Sequence, residues 1–284
     1  MSWTRCTTVL TTVLAVGTVL GGPASAVARP HSATPVTCTT PTPQPIHIRD
    51  FNGDGKSEFG VFRPSTGFWY INGVGTFHYG NAGDIPIADD YTGDGRVDLA
   101  VFRPSTGTWY INGVGAIHWG QAGDIPMPGD YAGTGKAVPA VFRPSNGTWY
   151  IRGYKNIVFG RCGDFPVPYG TGTPSHAVPA VFRPANGTWY ISGVATLVYG
   201  VSGDTPIPHN YLGTGQQLAV FRPSTSTWYI YGGGSIQFGV AGDIPAPGSW
   251  GGGNHLAVFR PSTGMWLIRN GLSKVLGGNG DVPI

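Results

Sequence analysis

Apolar residues in this chain come in short runs, and small or polar breakers separate them. Across residues 84–120 the runs are Ile85–Asp89, Leu99–Phe102, Thr108–Ile111 and Ala116–Trp119. They are rich in Val, Ile, Phe, Trp and Tyr, with Gly, Pro, Ser or Asp clusters between them, the pattern of short strands joined by tight turns. One run is different. Thr8–Leu20 is longer, follows Arg5 and leads to Ala24-Ser25-Ala26. A positive start, an apolar centre and a small-residue cleavage site predict a secretory signal peptide over residues 1–26. Four threonines interrupt this run, and it is short for a membrane span. No later run is long enough to cross a bilayer, so the mature protein is expected to be secreted, extracellular and not membrane-spanning. Residues 27–44, rich in Pro, Thr and Ala, read as an extended linker.

The remaining chain, residues 45–284, repeats itself. Phe-Arg-Pro recurs at Phe62, Phe102, Phe142, Phe182, Phe221 and Phe259, in steps of 40, 40, 40, 39 and 38 residues. A Trp follows each Arg by six positions, from Trp69 to Trp266, and Gly-Asp-x-Pro recurs from Asp84 to Asp281. Four strands per ~40 residues is the signature of a propeller blade. The expected fold is therefore all-β: a six-bladed β-propeller of four-stranded repeats. An open solenoid needs polar capping repeats, and none is visible. Both ends carry spare copies of the first strand. Asp281–Ile284 matches Asp84–Ile87, and Gln44–Ile48 matches Asp84–Ala88, so either end can complete the first blade.

Composition narrows the class. Gly and Pro number 47 and 25, while charged residues are 11% and aromatics 12%, which excludes both a helical bundle and a disordered chain. A net charge of +3 is too small to argue for nucleic acid. After cleavage two cysteines remain, Cys38 and Cys162, and an oxidising compartment permits a disulfide between them.

The first copy opens with Asp50-Phe51-Asn52-Gly53-Asp54-Gly55-Lys56-Ser57-Glu58. Oxygen side chains at positions 1, 3, 5 and 9 with Gly at position 6 suit calcium, which takes about six to eight oxygen ligands. Asp50, Asn52, Asp54 and Glu58 would ligate through side chains and Lys56 through its carbonyl. The second copy offers a weaker set: Asp90, Thr92, Asp94, the Arg96 carbonyl and Asp98. The other four have apolar residues at position 9, beginning with Val138 and Val178, and read as solvated turns. The Asp-x-Asn-x-Asp-Gly loop, followed by a short apolar strand and repeated at this period, resembles the FG-GAP/VCBS repeat family, which includes integrin-like propellers. The repeats are also similar to those of propeller lectins. The resemblance covers residues 45–284. It implies a calcium-stabilised propeller and, on the lectin side, sugar pockets between adjacent blades.

The chemistry of the chain points away from catalysis. Of 14 acidic residues, six are the Gly-Asp-x-Pro aspartates and six are the calcium-type ligands. The two left are Asp89 and Asp130, and Asp130 holds the first loop position of the third copy, so no unassigned pair of carboxylates remains for glycoside hydrolysis. Once per blade an Arg, from Arg63 to Arg260, recurs with an Asp, so a structural Arg–carboxylate pair is expected. The repeated Trp is expected to pack between blades. Candidate ligand contacts are Tyr79 and Trp119 at a variable large apolar position, and His78 and His118 beside them. His176, His209 and His255 are expected as exposed loop residues. The expected function is a secreted, non-catalytic binding module, carbohydrate-binding and lectin-like, with a glycan as partner. The alternatives are an adaptor for a cell-surface or extracellular protein and, less favoured, a polysaccharide lyase or hydrolase.

Overall fold

The computed structural model describes residues 50–171 and 176–284. The expected signal peptide, the linker, Cys38 and Gln44–Ile48 lie outside the described residues. Within them, the unit that ends at Ile284 is all-β. Six four-stranded antiparallel sheets form a six-bladed propeller. In the second blade the strands are Ile85–Pro86, Ala100–Arg103, Thr108–Ile111 and Gly115–His118, in that spatial order. The other blades repeat this meander. The first blade takes its first strand, Val282–Pro283, from residues far along the chain, with Val61 opposite Pro283 and Phe62 opposite Val282. Of the two spare copies, the C-terminal one therefore closes the ring.

Each repeated residue has a structural assignment. The Phe of Phe-Arg-Pro faces the Trp of the next strand directly, as Phe102 faces Trp109. The six repeated tryptophans are fully buried. The ring pairs lie 5.0–5.6 Å apart, tilted or edge-on, the geometry aromatic quadrupoles favour. Val101 of the second blade packs with Phe62 and Trp69 of the first, so the core is continuous from blade to blade. Pro then ends the strand because it cannot donate to the ladder. Five of the six blades have glycine at the turn that follows. Gly67 has φ +73°, and a Cβ there would stand 2.3 Å from the carbonyl oxygen of Gly80. The fifth blade has Ser226 in this place, held at φ 51°.

The repeated aspartates and arginines pair within blades. In the fourth blade Arg183 Nε donates to Asp164 Oδ1 at 2.7 Å and Nη2 to Oδ2 at 2.8 Å. The same fork joins Arg103 to Asp84, Arg143 to Asp124, Arg222 to Asp204, Arg260 to Asp243 and, across the closing seam, Arg63 to Asp281. The carboxylates are buried and the guanidiniums partly exposed. Each of the first five aspartates also accepts the backbone N–H three residues earlier, as Asp84 does from Asn81, which ties down the crossover from the preceding blade.

The inter-strand loops depart from expectation in an ordered way. The third copy keeps a turn around Asp130, whose carboxylate accepts the N–H groups of Ala132, Thr134 and Gly135. The fourth and sixth copies form β-hairpins instead, Phe165–Thr171 with His176–Arg183 and Gly248–Trp250 with Gly253–His255. Their first loop position is Gly170 or Ser249, and neither has a carboxylate to collect backbone donors. The N–H groups pair across strands instead. Neighbouring loops are also joined through the main chain. Ser57 donates to the Ser249 carbonyl, Val97 to Asp50, Ala137 to Asp90 and Ala177 to Asp130.

Replacing Asp164 with Ala strips a buried fork from Arg183 and frees the Arg161 N–H. The expected cost is about 2–4 kcal/mol, a fall in melting temperature of roughly 5–15 °C for a domain of this size. Because the carboxylate is buried, 1 M salt should leave the wild-type melting temperature nearly unchanged. A melt of Asp164→Ala within 1 °C of wild type would refute a stabilising role for the pair.

Candidate functional site

The clefts between blades are walled by two repeated positions. One is the residue after the outer strand: Tyr79, Trp119, Phe159, Tyr199, Phe238 or Leu276. The other is the Tyr after the buried Trp in the next blade, such as Tyr110, or Leu267 in the sixth. The first position is held because the Trp of its own blade donates Nε1–H to its carbonyl, at 2.7 Å from Trp69 to Tyr79. The second is held because the clamped guanidinium lies over its ring, 4.4 Å from Arg103 to the Tyr110 centroid, a cation–π contact. Arg103 also donates Nη1–H to the Tyr110 hydroxyl. Between the first and second blades these groups enclose a cavity of about 140 Å³ lined by Tyr79, Asn81, Val101, Arg103 and Tyr110. Burial pushes the Tyr79 phenol above its ordinary pKa.

The four candidate contacts are not brought into one site. Tyr79 lines the cavity. Trp119 is engaged across the next cleft, donating Nε1–H to the Tyr150 carbonyl at 3.0 Å. His78 and His118 are exposed on the outer strands, and neighbours on a strand face opposite ways. His78 Nε2 lies 3.1 Å from the Thr66 carbonyl oxygen, with its ring 4.7 Å from Phe68. The sequence reading missed Tyr110 and Arg103 as cleft residues. The signal was there, since a Tyr follows the Trp in five of the six copies.

The first loop gathers its carboxylates. One oxygen each from Asp50, Asp54 and Glu58 lies within 4.8 Å of the others. Asp50 accepts the N–H groups of Gly53, Asp54 and Gly55, which curls the loop around it. Asn52 Oδ1 accepts from Asp54, and Asn52 Nδ2 donates to Glu58. Glu58 is buried and accepts from the Phe51 N–H. Burial first, and the charges of Asp50 and Asp54 after it, raise its pKa, against the lowering effect of the Phe51 hydrogen bond. Lys56 Nζ stands 3.9 Å from Asp54, both exposed. Converging, under-neutralised carboxylates at a glycine turn fit a hard cation. Among the described residues the Asp50 loop is the one such cluster, and Asp90, Asp94 and Asp98 do not converge as closely. Asp98 instead accepts the N–H groups of Tyr91 and Thr92, and buried Thr92 Oγ1 has no hydrogen-bond partner. In the fifth copy Gln217 accepts the N–H groups of Tyr211 and Leu212. A one-residue deletion moves this acceptor ahead of Leu218, so counting positions from Asn210 did not find it.

The histidines need correction. His255 is exposed, but His176 is half-buried in a strand. His209 is half-buried too, edge-on to Tyr211, with Nε2 shielded from solvent and unpartnered. Burial lowers its pKa to about 4. Cys162 is disulfide-bonded, and its expected partner Cys38 lies outside the described residues. No family model matches this chain, and no curated protein matches it.

His209 should make stability fall in acid. Its native pKa of about 4 lies below the ordinary 6.5, so the stabilisation is whole above pH 6.5 and drains away as pH drops towards 4. The full span is about 3 kcal/mol. The groups around it, Asn210, Tyr211 and Gln217, carry no charge across that range. His209→Gln should therefore melt lower at pH 7.5 but show a shallower decline from pH 6.5 to 4.5. Parallel declines in variant and wild type would rule the residue out.

Proposed function

We propose that this protein is an exported, non-catalytic propeller that recognises glycans in the clefts between its blades. The observation that carries this reading is the first cleft, where two tyrosines and a clamped arginine enclose a small cavity open to hydrogen bonding and to stacking. Sugar rings present an apolar face and a hydroxyl edge, and such a wall meets both needs. The six Gly-Asp-x-Pro carboxylates are each held by an arginine, which supports a recognition role over glycoside hydrolysis or lyase chemistry. Export rests on the signal-type segment over residues 1–26, and the lectin analogy on the resemblance to FG-GAP/VCBS repeats. Repeated clefts on one ring would raise avidity for multivalent glycans.

Calcium belongs to the same reading. It would sit in the Asp50 loop, held by Asp50, Asn52, Asp54, the Lys56 carbonyl and Glu58, and would stiffen a turn that is joined to its neighbours. The second loop is a weaker candidate. A protein-adaptor role is the second reading, favoured by exposed valines on three outer strands, Val158 at 77%, Val198 at 70% and Val275 at 63%.

A glycan array of the exported chain, with and without chelator, tests the main reading. Saturable binding to one sugar class is expected. Binding to no sugar would reject it in favour of the adaptor. Separately, chelation should lower the melting temperature by several degrees, since calcium at 100 times its Kd adds about 2.7 kcal/mol. Asp54→Ala should abolish that shift, and an unchanged wild-type melt on chelation would remove calcium from the account.

A further inference from the structure

The six clefts are not equivalent. Five are walled by an aromatic residue after the outer strand, and the seam between the sixth and first blades has Leu276 there. Two of the aromatics show where such a ring lies. Trp119 reaches the Tyr150 carbonyl, and Tyr199 packs edge-on against Tyr231 with centroids 5.4 Å apart. Tyr150 corresponds to Tyr70 at the seam. Tyr231 corresponds to Asn72, since each donates its backbone N–H to the same carbonyl position, Leu218 and Phe59 respectively. An aromatic ring in place of Leu276 would thus cover Tyr70 and Asn72. Leucine leaves that space open, and a groove of about 410 Å³ is found there, lined by Tyr70, Asn72, Val74, Thr76 and Leu276. This volume is within the range of small-ligand sites, about 300–1,000 Å³.

The lining sets the ligand class. None of the groove's side chains carries a formal charge. Leu276 and Val74 offer an apolar flank. Asn72 and Thr76 are exposed, and neither side chain makes a hydrogen bond among the described residues. The Tyr70 hydroxyl accepts from Arg63 Nη1 at 3.1 Å, which fixes the ring that forms the wall.

Resting on the lectin reading, we propose that the seam groove is the dominant saccharide site, that it takes one neutral sugar residue per chain, and that Leu276 sets its specificity by being small. The ligand would pack its apolar face on Leu276 and Val74 and present hydroxyls to Asn72 and Thr76.

Calorimetric titration of the full exported chain with methyl glycosides of neutral hexoses, deoxyhexoses and uronic acids tests this. The expected result is one neutral sugar bound tightly per chain, with the aromatic-walled clefts binding at least tenfold more weakly. Leu276→Tyr restores the residue type of the other five clefts, so it should fold with an unchanged melting temperature and bind at least tenfold more weakly. Asn72→Trp, on an exposed turn, should block the groove from the opposite wall and serves if the first variant is unstable. Wild-type affinity in both variants, several equal sites per chain, or binding of uronic acids alone would overturn the seam proposal and leave the lectin reading standing. Failure of the wild-type chain to bind any sugar would overturn both.

Discussion

Six buried carboxylates, each gripped by both arms of an arginine fork, set the frame of this propeller. An aspartate taken out of water is costly unless its charge is met and its lone pairs are filled. Here the arginine meets the charge, and in five blades a backbone N–H from the preceding crossover takes a further lone pair. The pair therefore fixes three things together: the entry of the first strand, the end of the second strand and the path between blades. The same guanidinium then orients the neighbouring tyrosine in five of the six blades. In this way a stabilising interaction in the interior forms one wall of five of the six surface clefts.

Much of this was legible from the chain. The recurrence of Phe-Arg-Pro, Trp and Gly-Asp-x-Pro carries the blade count, because each marks a position where only one packing solution serves. The choice between intra-blade and inter-blade Arg–Asp pairing was not legible, since a period of forty residues is compatible with both. The fork between Arg183 and Asp164 lies within one sheet, and only coordinates distinguish that. The loops were half legible. Asp50 and Asp130 announce turns, but the hairpins at Gly170 and Ser249 arise from a missing acceptor, and an absence has no motif.

The candidate site was the least legible part. Reading one column at a time singled out Tyr79, Trp119, His78 and His118, yet a cleft is made by two columns from different blades. Pairing Leu276 with Tyr70 and Asn72 requires knowing that residues near the end of the ring abut those near its start. His209 was misread for a related reason. Pro208 and Asn210 beside it are typical turn residues, yet the ring packs edge-on to Tyr211 and its backbone bridges to Gln217.

The closing strand also bears on the order of folding. Arg63 and Asp281 are 218 residues apart, and the partners of Val61 and Phe62 follow every other strand described. Joining such distant segments carries a large loop-closure entropy, and folds dominated by distant pairings form slowly. Until residues 281–284 have emerged, the first blade lacks a strand and its arginine lacks a counter-ion. A nascent chain that still lacks residues 281–284 is thus kept from locking into a finished ring, so ring closure waits on synthesis rather than on the packing of the blades already made.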